Sequence, residues 1–295
     1  MNDVNVIEVS NLTKWYPDVL AVNRISFSVK KGQVVGFLGP NGAGKTTTLK
    51  MLTCFLPPTS GDAWVGGQSV SQDPAGVRRR IGYLTEHNAL YEEMGVEEYL
   101  RFRASLKGVP WRLRKQYVEE ALESCRLTEV RHRLVGHLSK GYRQRVGMAD
   151  TLVHKPPVLI LDEPTVGLDP GQIIEVRALI KEVAKQNTVL LSTHYLAEVE
   201  QICDHVVIIH RGTIVANDSV ETLRRGSDGS TASLESVFMK LIADTDRKAQ
   251  ENSDGAERKK SDEGVRDSAG QETSGDEEVR DSAGQETSGD EEVSQ

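Results

Sequence analysis

The stretch from Val34 to Leu49, VVGFLGPNGAGKTTTL, constrains this chain more than any other. Val34, Val35, Phe37 and Leu38 form a short apolar run that reads as a buried strand. The run breaks into a glycine-rich loop, and Thr46 onward reads as a helix that stops short of Pro57 and Pro58. Gly39, Pro40, Asn41, Gly42, Ala43, Gly44, Lys45 and Thr46 fit G-x-x-x-x-G-K-[ST], the phosphate-binding loop, with Thr47 next. Glycines permit positive φ and let backbone N–H groups close on an anion. The helix N-terminus adds about half a unit of positive charge. Lys45 is placed to reach the β- and γ-phosphates, and the Thr46 hydroxyl to ligate Mg²⁺.

Two further strands end in chemistry. VLILDEP, 158 to 164, is apolar and then acidic. An Asp162 carboxylate beside a phosphate loop can hold Mg²⁺, and Glu163 can polarise a water for attack on a γ-phosphate. Pro164 makes a simple helix cap awkward here. TVLLST, 188 to 193, is buried in pattern and ends at His194, where an imidazole can donate to a γ-phosphate or to Glu163. In LSKGYRQRV, 138 to 146, Ser139 and Gly141 open a helix. Their amides and the serine hydroxyl make either an anion site or an ordinary cap. A chain with one phosphate loop does not need a second phosphate site for its own nucleotide. Such a site makes sense facing a nucleotide held by another subunit.

Around these segments, 4 to 29 reads as short strands, with Tyr16 on the loop between two of them, either to stack on adenine or simply to pack. Asp62 to Val70 reads as a strand pair bent at Gly66-Gly67, and Arg78, Arg79 and Arg80 as a solvated face. From about 88 to 150 the chain is rich in Glu, Arg, Leu and Lys and reads as inserted helices, one carrying Leu113, Tyr117, Ala121 and Leu122 on one face. Asp169 and Pro170 are N-cap and first residue of a further helix, with Ile173, Val176, Ile180 and Val183 as its apolar stripe. A hairpin at 206 to 216 and a helix at 233 to 242 close the domain. Strands alternating with helices predict an α/β fold with a mostly parallel sheet covered on both faces.

The net charge of −8 belongs to the tail. From Asp244 to Gln295 there are 17 acidic and 7 basic residues, whereas 1 to 243 is near neutral, with 27 acidic and 29 basic. A general nucleic-acid binder usually shows a basic face, so no nucleic-acid partner is expected. VRDSAGQETSGDEE occurs at 265 to 278 and again at 279 to 292, with no aromatic residue beyond 244. Such repeats cannot bury enough surface to offset their ordering entropy, so 244–295 is expected to be a disordered acidic tail, for interaction or solubility. Cys54, Cys125 and Cys203 show no metal spacing and suit a reducing compartment. The start has no signal pattern, and no apolar run approaches the roughly 18 residues that span a bilayer.

Together these segments resemble the ATP-binding subunit of an ABC transporter, over about Val4 to Ile242. The order matches that family: aromatic Tyr16, Walker A at Gly39 to Thr46, Q-loop at Glu86, signature at Leu138, Ser139, Lys140, Gly141 and Tyr142, Walker B at 158 to 162, Glu163, D-loop GLDP at 167 to 170, and switch His194. The resemblance implies a P-loop NTPase (RecA-like) core at 4–243, with an antiparallel β subdomain and an inserted helical subdomain. It implies ATP and Mg²⁺, the metal held by Thr46, Glu86 and Asp162, with Glu163 as general base and His194 as γ-phosphate sensor. Ser139 and Gly141 would complete the site of a head-to-tail partner, and Asp169 would join the halves. The partners implied are a multi-spanning membrane permease and a second copy or a paralogous ATPase. Placement would be cytoplasmic, peripheral on the membrane through the permease. Within the family, IGYLTEHNALYEEM, LSKGYRQRV and SLESVFMKL are similar to exporter ATPases. Two positions depart from the family pattern: Glu86 stands where Gln is usual, and Lys140 and Tyr142 replace Gly and Gln of LSGGQ. The rival readings are a permease-free ABC ATPase of repair or translation, and a small-molecule P-loop kinase.

Overall fold

A computed structural model describes residues 4–225, 232–247, 250 and 251. The chain divides into a unit from Met1 to Thr245 and another from Asp246 to Gln295. The acidic repeats lie outside the described residues.

The first unit is built on a six-stranded sheet. Its strands are β3 (Val34–Leu38), β6 (Ile81–Leu84), β7 (Val158–Asp162), β8 (Thr188–Thr193), β9 (His205–His210) and β10 (Thr213–Ser219). Their spatial order is β10-β9-β3-β8-β7-β6, parallel throughout except for β10 against β9. Strands β3, β7 and β8 are buried at every residue, which is why they read as unbroken apolar runs. The pleat sends alternate side chains to two cores. Val34, Leu159, Leu161, Val189 and Leu191 face one, while Val35, Phe37, Val158, Ile160 and Leu190 face the other.

The first core is covered by α3 (Val96–Leu106), α4 (Trp111–Ser124), α5 (Lys140–Leu152), α6 (Pro170–Ala184) and α7 (Leu196–Ile202). The second is covered by α1 (Lys45–Leu52), α2 (Pro74–Arg80) and an antiparallel sheet of β1 (Asn5–Tyr16), β2 (Val19–Lys30), β4 (Ser60–Val65) and β5 (Gln68–Ser69), in the order β2-β1-β4-β5.

Three expectations are corrected. Tyr16 is not on a loop: β1 and β2 run 12 residues each, and only Pro17 and Asp18 separate them. Register shifts absorb irregularities along the pair, so the β-branched and aromatic residues near its end keep pairing down to Tyr16 opposite Val19. The arginines 78 to 80 are exposed, as expected; they lie in the last turn of α2, which Asp73 caps by accepting from Gly76 N at 2.8 Å. On α4 the buried residues are Val118, Ala121 and Leu122; Tyr117 is half-buried and Leu113 exposed, so the face is rotated from the expected stripe. On α6 the stripe is Val176, Leu179, Ile180 and Val183, with Ile173 only half-buried.

Candidate active site

The phosphate loop leaves β3 and enters α1 through Gly44, whose φ of 106° excludes most side chains. A Cβ there would meet Ala21 O at 2.6 Å, and one at Gly39 would meet Ile209 O at 2.3 Å. The loop is thus wedged between the start of β2 and the end of β9. Gly212 N donates to Ala43 O at 2.9 Å and fixes the loop to the turn between β9 and β10.

The resulting cavity measures about 660 Å³. It is lined by Asn41, Gly42, Gly44, Lys45, Thr46 and Thr47 of the loop, by Glu86, and by Glu163 and His194 across from them. Gly39 and Pro40 take part through their carbonyls, which accept from Lys45 Nζ at 2.7 and 3.2 Å. Lys45 Nζ also lies 3.5 Å from Glu163 Oε1. The other oxygen, Glu163 Oε2, lies 2.9 Å from His194 Nδ1, a contact that puts the proton on that nitrogen. Glu163 therefore bridges the phosphate-loop cation and the imidazole. Its φ of 48° is left-handed, an uncommon state for a residue with a side chain.

Asp162 is the last residue of β7 and is almost wholly buried. Burial pushes its carboxyl above the usual range; the Ser192 and Thr46 hydroxyls pull it back, and the charges of Glu163 and Glu86 add to the push. Its Oδ1 is buried with no hydrogen-bond partner. Thr46, Glu86 and Asp162 line one neighbouring cavity of about 690 Å³. An orphaned carboxylate oxygen, a second carboxylate and a hydroxyl form a hard oxygen set, which suits Mg²⁺. Among the described residues no cluster of three or more His, Cys, Asp or Glu suits a metal.

The remaining sequence candidates do not meet in this cavity. Tyr16 is exposed, with Lys14 Nζ 5.8 Å from its ring centroid, and does not line it. Val19, Leu20 and Ala21 of β2 and Arg211 and Gly212 of the β9–β10 turn line that side instead, and no local motif announces them. Leu138, Ser139, Lys140, Gly141 and Tyr142 are absent from the lining as well. Ser139 caps α5, accepting from Tyr142 N at 3.4 Å, and a Cβ on Gly141 would collide with Gln172 of α6. Asp169 caps α6, accepting from Gln172 N at 2.9 Å. Sequence reasoning missed Gln144, whose Nε2 donates to Pro164 O at 2.6 Å while its Oε1 accepts from Asn88 at 2.9 Å. This ties the signature helix to both the Glu86 loop and the segment after Glu163.

A family model described as ABC transporter matches residues 22–166. The bacitracin transport ATP-binding protein BcrA of Bacillus licheniformis is 40% identical over 222 residues, covering 75% of this chain and 72% of that protein. The probable multidrug ABC transporter ATP-binding protein YbhF of Escherichia coli K12 is 35% identical over 246 residues, covering 82% of this chain and 42% of that one. A solved structure titled as the ATP binding subunit of an ABC transporter superposes with a TM-score of 0.72 at 33% identity, over 80% of this chain and 99% of that chain.

Proposed function

This chain belongs to the ABC transporter family as an ATP-binding, ATP-hydrolysing subunit, and from that premise we propose that it drives export through a separate multi-spanning permease on the cytoplasmic face of a membrane. Among the described residues no helix is long and apolar enough to cross a membrane. The similarity to a bacitracin transport protein and a probable multidrug transporter supports export. The same likeness gives no support to a repair or translation ATPase, and family membership removes the kinase reading.

The observation that carries the mechanism is Glu163 held between Lys45 and His194 in the phosphate-loop cavity, with the signature segment absent from that cavity. ATP is bound by the loop amides and Lys45, with Thr46, Asp162 and Glu86 as the residues to hold Mg²⁺. When bound, that ion supplies charge neutralisation at the phosphates. Glu163 takes the proton of the attacking water as general base, and His194 orients it and senses the γ-phosphate. Ser139 and Gly141 of a second copy or a paralogue complete the pocket, with Asp169 at the junction. Tyr16, exposed at the end of β1, is left for adenine stacking. Closure of two such halves moves the helical insert, and through it the permease. The cavity of about 690 Å³ that holds Thr46, Glu86 and Asp162 continues past Phe55, Arg103 and Lys107, and that continuity between the site and the helical insert supports docking there.

Glu163→Gln is the test. ATP affinity should stay within about threefold while turnover falls at least about a hundredfold, the usual range for general base catalysis. Gel filtration with ATP should show a trapped dimer. Wild-type turnover in this variant overturns the reading.

A further inference from the structure

We propose that Glu198 is a positioning residue that fastens the loop carrying Glu163 to the loop carrying His194. The inference rests on the reading of those two residues as the hydrolytic pair. Glu198 has no exposed surface, and a buried carboxylate demands strong partners. It is the third residue of α7, where a glutamate commonly reaches back to the N-cap amide of its own helix. Here that amide, Tyr195 N, donates to Thr193 Oγ1 at 3.0 Å instead. The carboxylate is turned outward. One oxygen accepts from the Thr193 hydroxyl at 2.7 Å, and the other accepts from the Thr165 hydroxyl. Arg177 Nε of α6, 3.7 Å from Oε1, supplies compensating charge.

The two threonines flank the chemistry. Thr193 immediately precedes His194, and Thr165 follows Glu163 by two residues. Val166 N donates to Glu163 O at 3.2 Å, so the turn held by Thr165 is the turn that holds Glu163 in its left-handed conformation. Thr193 Oγ1 accepts from Tyr195 N, so its own proton is committed to Glu198, and the backbone on both sides of His194 is pinned. One carboxylate thus braces, beyond the backbone bond from Glu163 N to Ser192 O at 3.0 Å, the separation on which the 2.9 Å contact between Glu163 and His194 depends. Glu198 touches neither of them and acts through the hydroxyls.

Glu198→Gln keeps the shape, but its amide nitrogen cannot accept, so one hydroxyl loses its acceptor. In the full chain, turnover should fall about tenfold or more, as small misplacements of reacting groups do, while half-saturating ATP stays unchanged. Thr193→Val should reproduce the loss and Thr193→Ser should retain activity. This pair decides the matter if Glu198→Gln does not fold. In a His194→Ala background, measured by single turnover, Glu198→Gln should add less than about a twofold loss, because coupled residues are non-additive. Wild-type turnover in Glu198→Gln, equal activity of the valine and serine variants, or a second tenfold loss without His194 overturns the proposal. Wild-type turnover in both His194→Ala and Glu163→Gln would instead refute the pair itself.

Discussion

Glu86 shares a cavity with Thr46 and Asp162, so its carboxylate bears directly on any cation held there. Asp162 is pushed toward its neutral form by burial, so its folded-state pKa lies above the unfolded value. A carboxyl of that kind favours the fold below its unfolded pKa, and that contribution is lost as pH rises through the folded pKa. A divalent cation reverses the balance, since it rewards the ionised form of both acids. Glu86→Gln removes one of these charges without removing the oxygen. The Mg²⁺ concentration giving half-maximal hydrolysis should rise roughly tenfold, since the number of charged ligands tunes divalent affinity. A magnesium titration at saturating ATP checks this, and an unchanged midpoint would remove Glu86 from the metal site.

Helix caps show at the element scale what could be read and what could not. Asp169-Pro170 and Asp73-Pro74 carry the same start signal, and both open helices in the structure. The second was overlooked because α2 has only seven residues and one large buried side chain, Val77, too short for an apolar period. Asp73→Ala should cost about 1 kcal/mol through the lost cap. Differential scanning calorimetry should show the midpoint falling by roughly 2–4 °C, with ATP turnover unchanged. The buried strands β3, β7 and β8 were legible because parallel strands covered on both faces must be apolar throughout. That Lys45, Thr46, Glu163 and His194 line one cavity could be expected, because the loop after β3 and the residues just past β7 and β8 lie at the same edge of a parallel sheet. The rotated face of α4 was not legible, since Leu113 has the right spacing yet stays exposed while Val118 is buried. The contacts of Glu198 with Thr165 and of Gln144 with Pro164 and Asn88 were hidden too, because those partners lie 20 to 56 residues away and only the fold brings them together.

At the scale of the whole molecule, the phosphate loop and the signature segment belong to different surfaces of one chain. Ser139 spends its hydroxyl on capping α5, outside the cavity that holds Lys45. A pocket assembled from the loop of one copy and the signature of another exists only while the two copies are joined. Below the dissociation constant of such a dimer, its fraction falls in proportion to total protein. Turnover per chain should then drop about tenfold for each tenfold dilution, with ATP and Mg²⁺ held saturating. Mass measured by light scattering across the same series should move from dimer to monomer where the rate falls. On the proposal that this hydroxyl also reaches the partner's nucleotide, Ser139→Ala should shift that transition to higher protein concentration, beyond the stability lost with the α5 cap. Hydrolysis at full rate by chains shown to be monomeric would mean that each copy completes its pocket alone.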